Sequence, residues 1–257
     1  MSTFEKWIAF RTILLKEIRR YLRIWTQTLL PPAITMSLYF VIFGALIGSR
    51  IGEMGGFTYM QFVVPGLIMM AVVTNSYSNV VSSFFGAKFN NSVEELLVSP
   101  VPNWIILSGF VLGGVSRGLL VAVIVTCLSL FFAELHIHSL AITISIVIMT
   151  SILFALFGFI NAVYANSFDD ISIIPTFVLT PLIYLGGVFY SMDLLPDFWA
   201  MVSKINPLVY VVNGFRYGVL GVSDVSVGFA FSMILMFTVV AYSFCMHLLN
   251  TGKGLRQ

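Results

Sequence analysis

The feature that most constrains this chain is a series of six long stretches with almost no charged residues. Each is close to the roughly 20 residues that an α-helix needs to cross a bilayer. Composition agrees, because 59% of the residues are hydrophobic and 9% are charged, against roughly a quarter charged in a soluble domain. The sequence therefore predicts an all-α, polytopic membrane protein that forms a single domain over residues 1–257. The predicted spans are 29–48, 59–85, 104–132, 140–165, 172–190 and 227–249.

Lysine and arginine are distributed unevenly between the two sides of the predicted membrane domain. An even number of spans places both termini on the same side, and nine of the 13 cations fall there. Six of the nine precede the first span, and the others are Lys88, Lys253 and Arg256. Because cation-rich loops face the cytoplasm, both termini are predicted to be cytoplasmic.

Residues 191–221 interrupt the series of apolar stretches. Gly187 loosens the end of the fifth predicted span, Pro196 and Pro207 punctuate the segment after it, and residues 208–221 are too short and too polar to cross. Irregular backbone at membrane depth is tolerated only where protein or a water-lined cavity covers it. We therefore predict a re-entrant helical hairpin that enters the outer leaflet and returns. An ordinary surface loop is the alternative.

The ordered pattern from residue 175 to residue 221 resembles the C-terminal signature of the permease subunits of type-2 ABC transporters. Its elements are Gly-Val-Phe after an apolar span, then Leu-Pro, Asn-Pro-Leu, Phe-Arg-Tyr and a closing glycine. The re-entrant residues that carry it are Gly187, Pro196, Asn206, Pro207 and Arg216. The resemblance extends over the whole chain. It implies six helices with an outer re-entrant hairpin between helices 5 and 6, and a location in the bacterial inner membrane.

Residues 1–25 have the pattern of an amphipathic helix lying on the cytoplasmic surface. Phe10 and Ile13 depart from its apolar stripe, and Arg11 lies within the stripe. The apolar face is formed by Phe4, Trp7, Ile8, Leu14, Leu15, Ile18, Leu22 and Trp25, and the basic residues singled out are Arg11, Lys16, Arg19, Arg20 and Arg23. A plain membrane anchor and a dock for a cytoplasmic subunit are both compatible with this pattern. The family resemblance favours the dock.

The loop at 86–102 contains a predicted short helix. Ser92 and Glu95 have the spacing of a capping box, and Pro100 and Pro102 end the segment. The helix would present Val93, Leu96 and Leu97 to a partner, and the resemblance implies a coupling helix that contacts an ATPase. A connecting turn is the alternative. The predicted coupling residues are Ser92, Val93, Glu94, Glu95, Leu96, Leu97, Asp169 and Asp170, of which the two aspartates can equally be solvated turn residues.

Several polar and small residues lie within the predicted spans. Asn75 and Asn79 share one stripe of the second span, and the third span carries glycines at 109, 113, 114 and 118. Both patterns are typical of helix packing or dimer contact, and the lining of a substrate route is the alternative. Arg117 falls near mid-depth, where a cation is costly and needs a partner. An anionic lipid or glycan phosphate and neighbouring backbone carbonyls are both candidates.

No group of residues in the sequence predicts catalysis, cofactor binding, a metal site or nucleic-acid binding. The sequence TGKG at 251–254 lacks the rest of a Walker A motif, so ATP and Mg²⁺ are expected on a separate ATPase subunit. We expect two copies of that ATPase, a second copy of this chain and membrane lipids as partners. The predicted function is export of a lipid, glycan or hydrophobic compound. An intramembrane lipid-modifying enzyme and an ATP-independent channel are the rival hypotheses.

Overall fold

The computed structural model describes residues 1–254, except for the side chains at positions 45 and 49. Arg256, one of the nine cations on the side of the termini, lies outside the described residues. The helices are α1 (Thr3–Arg23), α2 (Trp25–Thr28), α3 (Leu30–Phe40), α4 (Ser49–Ile51), α5 (Tyr59–Phe89), α6 (Ser92–Val98), α7 (Asn103–Ser129), α8 (Leu140–Tyr164), α9 (Asp170–Ile174), α10 (Thr180–Tyr184), α11 (Asp197–Ser203), α12 (Pro207–Leu220) and α13 (Val227–Thr251).

Shorter elements join or extend these helices. A π-helical segment at Val41–Gly48 continues α3, and another at Pro175–Leu179 joins α9 to α10. Residues Met192–Leu194 form a 3₁₀ turn. Strands β1 (Glu53–Met54) and β2 (Phe57–Thr58) form a short antiparallel hairpin in the turn after the first span.

Among the described residues, five helices are long and apolar enough to cross a membrane: Trp25–Gly48, α5, α7, α8 and α13. They correspond to the first, second, third, fourth and sixth predicted spans, with ends that differ by a few residues. At the predicted fifth span, 172–190, the helix Asp170–Tyr184 belongs to a shorter class of 10–17 residues. A helix of this length covers about 22 Å, which is less than the roughly 30 Å of a hydrocarbon core. The helix alone therefore does not establish a sixth span.

Helix α5 is the centre of the bundle and packs against α7, α8 and α12. Of its most apolar window, 83% is buried, against 12% for Trp25–Gly48. The contact with α8 is close, since a Cβ at Gly158 would lie 2.5 Å from the Tyr77 carbonyl oxygen. Trp25–Gly48 consequently lies at the periphery and exposes Ile34, Leu38 and Leu46.

Residues 191–221 contain two helical pieces, α11 and α12. Asn206 caps α12 by accepting a hydrogen bond from the Leu208 N–H, and Pro207 occupies the first turn, where its missing N–H costs nothing. Pro196 directly precedes α11. Most of α12 is buried against α5, α8 and α13. This burial disfavours an ordinary surface loop for that part of the region.

Helix α1 has two apolar faces, whereas the sequence predicted one. Ile13 and Tyr21 are buried where α1 packs on α7, and Phe10 packs against the same core. The predicted apolar stripe points away from the bundle, with Phe4 and Trp7 exposed. Phe10 and Ile13 departed from that stripe because they belong to the second, bundle-facing face.

Candidate functional site

A buried polar cluster attaches α1 to α5. The Glu17 side chain is fully buried, and its Oε1 accepts a hydrogen bond of 2.6 Å from the Ser83 hydroxyl. Its Oε2 lies 3.4 Å from the Arg20 Nε. The Arg20 guanidinium also donates to the backbone oxygen of Asn79 at 2.8 Å and to its side-chain oxygen at 2.9 Å. The carboxylate of this ion pair is buried and the guanidinium is partly exposed, and the hydrogen bonds to Ser83 and Asn79 hold the two side chains against α5.

Two glycines of α7 allow α1 to approach closely. A Cβ at Gly109 would overlap Ile13 Cγ2, and a Cβ at Gly113 would lie 2.5 Å from Glu17 Cβ. Gly114 and Gly118 face α5 and α8 instead. A Cβ added at Gly114 would lie 2.7 Å from Val80 Cγ2, and one added at Gly118 would overlap Ser76 Oγ. Both small-residue faces of α7 therefore serve packing between helices of this chain, as such faces commonly do.

Arg117 extends the polar contacts toward the first span. Its Nη2 donates to the Thr28 carbonyl oxygen at 3.0 Å and to the Asn75 Oδ1 at 2.8 Å. Thr28 in turn donates its hydroxyl to the Tyr21 carbonyl at 2.8 Å, across the break between α1 and α2. Arg117 is buried. Of its two candidate partners, the structure supports the neighbouring protein carbonyls.

Helix α6 follows α5 at the end of the bundle and differs from the prediction at its start. Asn91 precedes the helix in a left-handed conformation, with φ of 58°, and no side chain caps the helix. Ser92 is the first helical residue, and its hydroxyl donates to the Ala87 carbonyl at 3.0 Å. The predicted Ser92–Glu95 capping box is therefore wrong, because the turn at Asn91 places Ser92 inside the helix and directs its hydroxyl back to α5.

The apolar residues of α6 are oriented differently from the prediction as well. Val93 is buried in the protein's own core, and Leu96 and Leu97 are half-buried against it. Val98, by contrast, is 88% exposed. Glu94 and Glu95 are exposed beside it. The surface that α6 offers to a partner consists of Val98 and these two carboxylates, while Val93 holds the helix in place.

The loop that contains Asp169 and Asp170 lies next to the end of α5, which leads into α6. The Phe168 ring is 5.0 Å from the ring of Phe85 and 5.0 Å from that of Phe89. Asp170 Oδ2 accepts from the Ser167 N–H, and the Asp170 N–H donates to the Ser167 hydroxyl. Asp170 therefore stabilises the start of α9, whereas Asp169 is exposed.

Lys88 connects the same region to α8. It is buried, and its Nζ donates to the Val163 and Ala165 carbonyls at 2.7 and 2.8 Å. A cation at this place satisfies carbonyls that the helix end leaves without intrahelical partners. Lys88, Val93 and Phe168 together hold the segment that joins α5 to α6 in place.

At the opposite end of the bundle, Arg216 holds the turn at Gly187. Arg216 is fully buried on α12, and its Nη2 donates to the Gly187 carbonyl at 2.6 Å. Its guanidinium carbon lies 3.9 Å from the centre of the Phe62 ring, a cation–π contact. Gly187 has φ of +74°, a conformation that favours glycine. Asn206 adds a hydrogen bond of 2.7 Å to the Leu182 carbonyl.

Comparison with known proteins identifies the family. Residues 8–220 match the family described as ABC-2 type transporter. The chain belongs to the ABC-2 type transporter family. It is similar to the inner membrane transport permease YadH of Escherichia coli K12, with 57% identity over 251 residues that cover 98% of each chain. Nodulation protein J of Rhizobium leguminosarum bv. viciae is 22% identical over 206 residues, or 80% of each chain.

These comparisons support an inner-membrane, multi-pass permease of an ABC transporter, the type of transporter in which an ATPase partner supplies the energy. Within the part of the chain that the structure describes, no group of three or more His, Cys, Asp or Glu side chains is arranged to hold a metal ion. The polar clusters of this ABC-2 permease instead connect helices to one another. Their chemistry is that of attachment between helices.

Sequence reasoning missed several residues of these clusters in the ABC-2 permease, among them Glu17, Lys88 and Phe168. Lys88 entered only the count of cations, and Glu17 and Phe168 were not singled out. The spacing of Glu17 and Arg20, three residues apart on a helix, was the available signal for a pair. Of the predicted basic residues of α1, Arg20 turns inward, while Arg11, Lys16, Arg19 and Arg23 remain exposed.

Replacement of Arg117 by leucine is expected to leave the permease inserted but to lower its stability and its transport. The change removes two hydrogen bonds from a charged donor, each worth about 1.5–3 kcal/mol, although leucine itself is favoured in a span. Arg117→Lys, which keeps the charge without the planar fork, should recover only part of the loss. Thermal unfolding of the purified variants measures the effect. Wild-type stability and transport for Arg117→Leu would show that the contact to Thr28 is dispensable.

Proposed function

We propose that this chain is the membrane subunit of an exporter that works with two copies of a separate ATPase carrying ATP and Mg²⁺. The observation that carries the proposal is the surface of α6, where an exposed Val98 stands beside two carboxylates on a support formed by Val93 and Lys88. A seven-residue helix is too short to persist alone. Its attachment to α5, which Lys88 connects to α8, lets a push on α6 reach both helices.

Helix α1 is proposed as the second dock for the ATPase. Its outward face carries the exposed cations, and its inner face is fixed by Glu17 to α5 and by Gly113 to α7. Motion of a docked ATPase would therefore reach α7 and, through Arg117 and Thr28, the start of the first span. This route supports a population shift between two arrangements of the bundle.

A second copy of this chain is the proposed partner within the membrane. Trp25–Gly48 and Asp170–Tyr184 both expose apolar side chains and meet at an aromatic cluster. The Phe43 and Phe189 ring centroids are 4.8 Å apart, and those of Tyr184 and Phe189 are 5.8 Å apart. Two neighbouring helices with little burial in the protomer supply a continuous apolar face for the second copy, with lipid around it.

The proposed topology has six spans, an outer re-entrant hairpin and cytoplasmic termini. The short helix Asp170–Tyr184 completes its crossing through the non-helical residues 185–190. Protein covers this segment: a Cβ at Gly66 would lie 2.6 Å from the Val188 carbonyl oxygen, and Arg216 binds the Gly187 carbonyl. Covered, hydrogen-bonded backbone is the form in which irregular structure is tolerated at membrane depth.

Cysteine labelling in intact cells tests this topology. Single cysteines at the exposed Ser2 and Met201, with Cys127 and Cys245 replaced by alanine, should react from opposite sides of the membrane. An impermeant maleimide should label Met201→Cys from outside and Ser2→Cys only after permeabilisation. Labelling of both from the same side would mean that Asp170–Tyr184 does not cross.

The transported compound is proposed to be a lipid, a glycan or a hydrophobic small molecule. The complex of this chain with its ATPase, reconstituted in proteoliposomes, should hydrolyse ATP faster when the transported compound is present. A panel of membrane lipids, lipid-linked glycans and hydrophobic compounds identifies the class by this stimulation. ATP-independent flux through the chain alone would contradict the proposal and favour a channel.

A further inference from the structure

A crevice of about 420 Å³ opens on the side of the bundle between α5, α8, α13 and the helix Asp170–Tyr184. It is distinct from the α6 surface and from the polar cluster around Glu17. Residues that line it are Tyr77 of α5, Phe154 and Asn161 of α8, Val178 and Leu182 of the Asp170–Tyr184 helix, and Phe237 of α13. Because α5, α8 and α13 are long and apolar enough to cross a membrane, the mouth of the crevice lies at the depth of the lipid bilayer, beside the face of Asp170–Tyr184 that is proposed for the second copy.

The length and depth of the crevice match one leaflet. Along α8 it extends from Phe154 to Tyr164, about 15 Å at 1.5 Å per residue, and half of a hydrocarbon core is also about 15 Å. Asn161 lies about 32 Å along α8 from its first residue, Leu140. The Asn161 end is therefore near the boundary between chains and headgroups, and Phe154 lies about 10 Å deeper, toward mid-membrane.

The boundary end of the crevice carries a buried hydroxyl without a hydrogen bond. Tyr77 is 2% exposed, and among the described residues its hydroxyl approaches the Asn161 side chain but makes no hydrogen bond of normal geometry. The Asn161 Nδ2 is engaged with the Ile171 carbonyl at 3.2 Å. A buried hydroxyl without a partner is costly, so a ligand that offers an acceptor at this level would be favoured.

We propose that this crevice binds one glycerophospholipid of the leaflet on the α6 side, with an acyl chain along Phe154, Leu182 and Phe237 and an ester carbonyl accepting from the Tyr77 hydroxyl. Apolar walls exclude a soluble anion, and the ester carbonyl is the lipid acceptor found at the depth of Tyr77. The leaflet is cytoplasmic in the topology proposed above, and to that extent the inference rests on it. Lipid binding to the purified protein is measured without transport. Failure of the lipid site can therefore be told apart from failure of the proposed transport function.

Tyr77→Phe tests the polar contact without changing the shape of the crevice. The purified permease is placed in nanodiscs that contain equal amounts of ester-linked and ether-linked phosphatidylethanolamine and is then exchanged into detergent. It should retain the ester lipid about fivefold better than the ether lipid. The Tyr77→Phe variant should lose this preference while it keeps both lipids through the apolar walls. Equal retention of ester and ether lipid by the wild type would overturn the assignment of the Tyr77 hydroxyl.

A filled crevice tests the position of the acyl chain. Val178→Trp should narrow the crevice, whereas Phe177→Trp, at a neighbouring position that is 73% exposed and outside the lining, is the matched control. Phosphatidylethanolamine with a mid-chain diazirine should form adducts at Leu182 and Phe237 in the wild type and the control, and several-fold fewer in Val178→Trp. Lipid adducts that spread evenly over Leu235 and Val239, on the outer face of α13, would overturn the proposal. A cross-link at Val178 to a second copy of the chain would overturn it as well.

Discussion

Replacement of Val98 by aspartate is expected to weaken binding of the ATPase a hundredfold or more while the membrane bundle remains folded. Val98 is 88% exposed in the free chain and would be covered by the partner. A buried charge without a partner costs several kcal/mol, and each 1.4 kcal/mol is about a factor of ten in affinity. Val98 is a sharper test than Leu96 or Leu97, because those two pack against the permease's own core. Co-purification of the ATPase and its turnover in the complex measure the loss.

Phe131→Asp provides the control for the Val98 variant. Phe131 is 84% exposed and follows α7 at the end remote from α6, so the same charge is introduced where no ATPase is proposed. The control should bind the ATPase like the wild type. Wild-type ATPase binding by Val98→Asp would remove the coupling role from α6 and leave α1 as the principal dock.

Replacement of Glu17 by alanine is expected to destabilise the permease by about 3 kcal/mol and to detach α1 from α5. The change leaves the buried Ser83 hydroxyl without its acceptor and removes the carboxylate that pairs with Arg20, which keeps its hydrogen bonds to Asn79. The Arg20 side chain is 28% exposed, so solvent screening keeps the effect at the low end of the range for buried pairs. Thermal unfolding measures stability, and the accessibility of a cysteine at Ile13 measures detachment.

Glu17→Gln separates charge from shape in this cluster. Glutamine retains an acceptor for Ser83 and the volume beside Gly113, so its unfolding temperature should lie between those of the wild type and Glu17→Ala. Cysteine at Ile13 should remain protected in the glutamine variant. Unchanged stability and protection in Glu17→Ala would show that apolar packing at Gly109 suffices to hold α1.

The bundle helices could be predicted from sequence because bilayer thickness and backbone hydrogen bonding leave few choices. Trp25–Gly48, α5, α7, α8 and α13 follow directly from apolar stretches of sufficient length. The helix at 170–184 was predicted too long, because apolar residues continue beyond Tyr184 while Gly187 turns the backbone to a positive φ. Hydropathy depends on residue type, so it does not reveal the backbone turn at Gly187.

The polar contacts were harder to predict because they depend on tertiary structure. Glu17 was not singled out, because only the close approach allowed by Gly113 makes it a buried partner of Ser83. The Ser92–Glu95 spacing satisfied a capping rule, but a left-handed Asn91 took the place of the cap. Arg117 was recognised as costly from its depth, whereas its partners Thr28 and Asn75 come from other helices.

The central claim is that α6 is the contact through which a separate ATPase drives this permease. Photo-cross-linking in native membranes tests it most directly, with benzoylphenylalanine placed at Val98 in one variant and at Phe131 in the other. We expect that the Val98 probe captures an ABC ATPase, that ATP binding changes the yield, and that the Phe131 probe captures none. A permease that transports normally while the Val98 probe captures no ATPase, or captures it no better than the Phe131 probe, would contradict the claim.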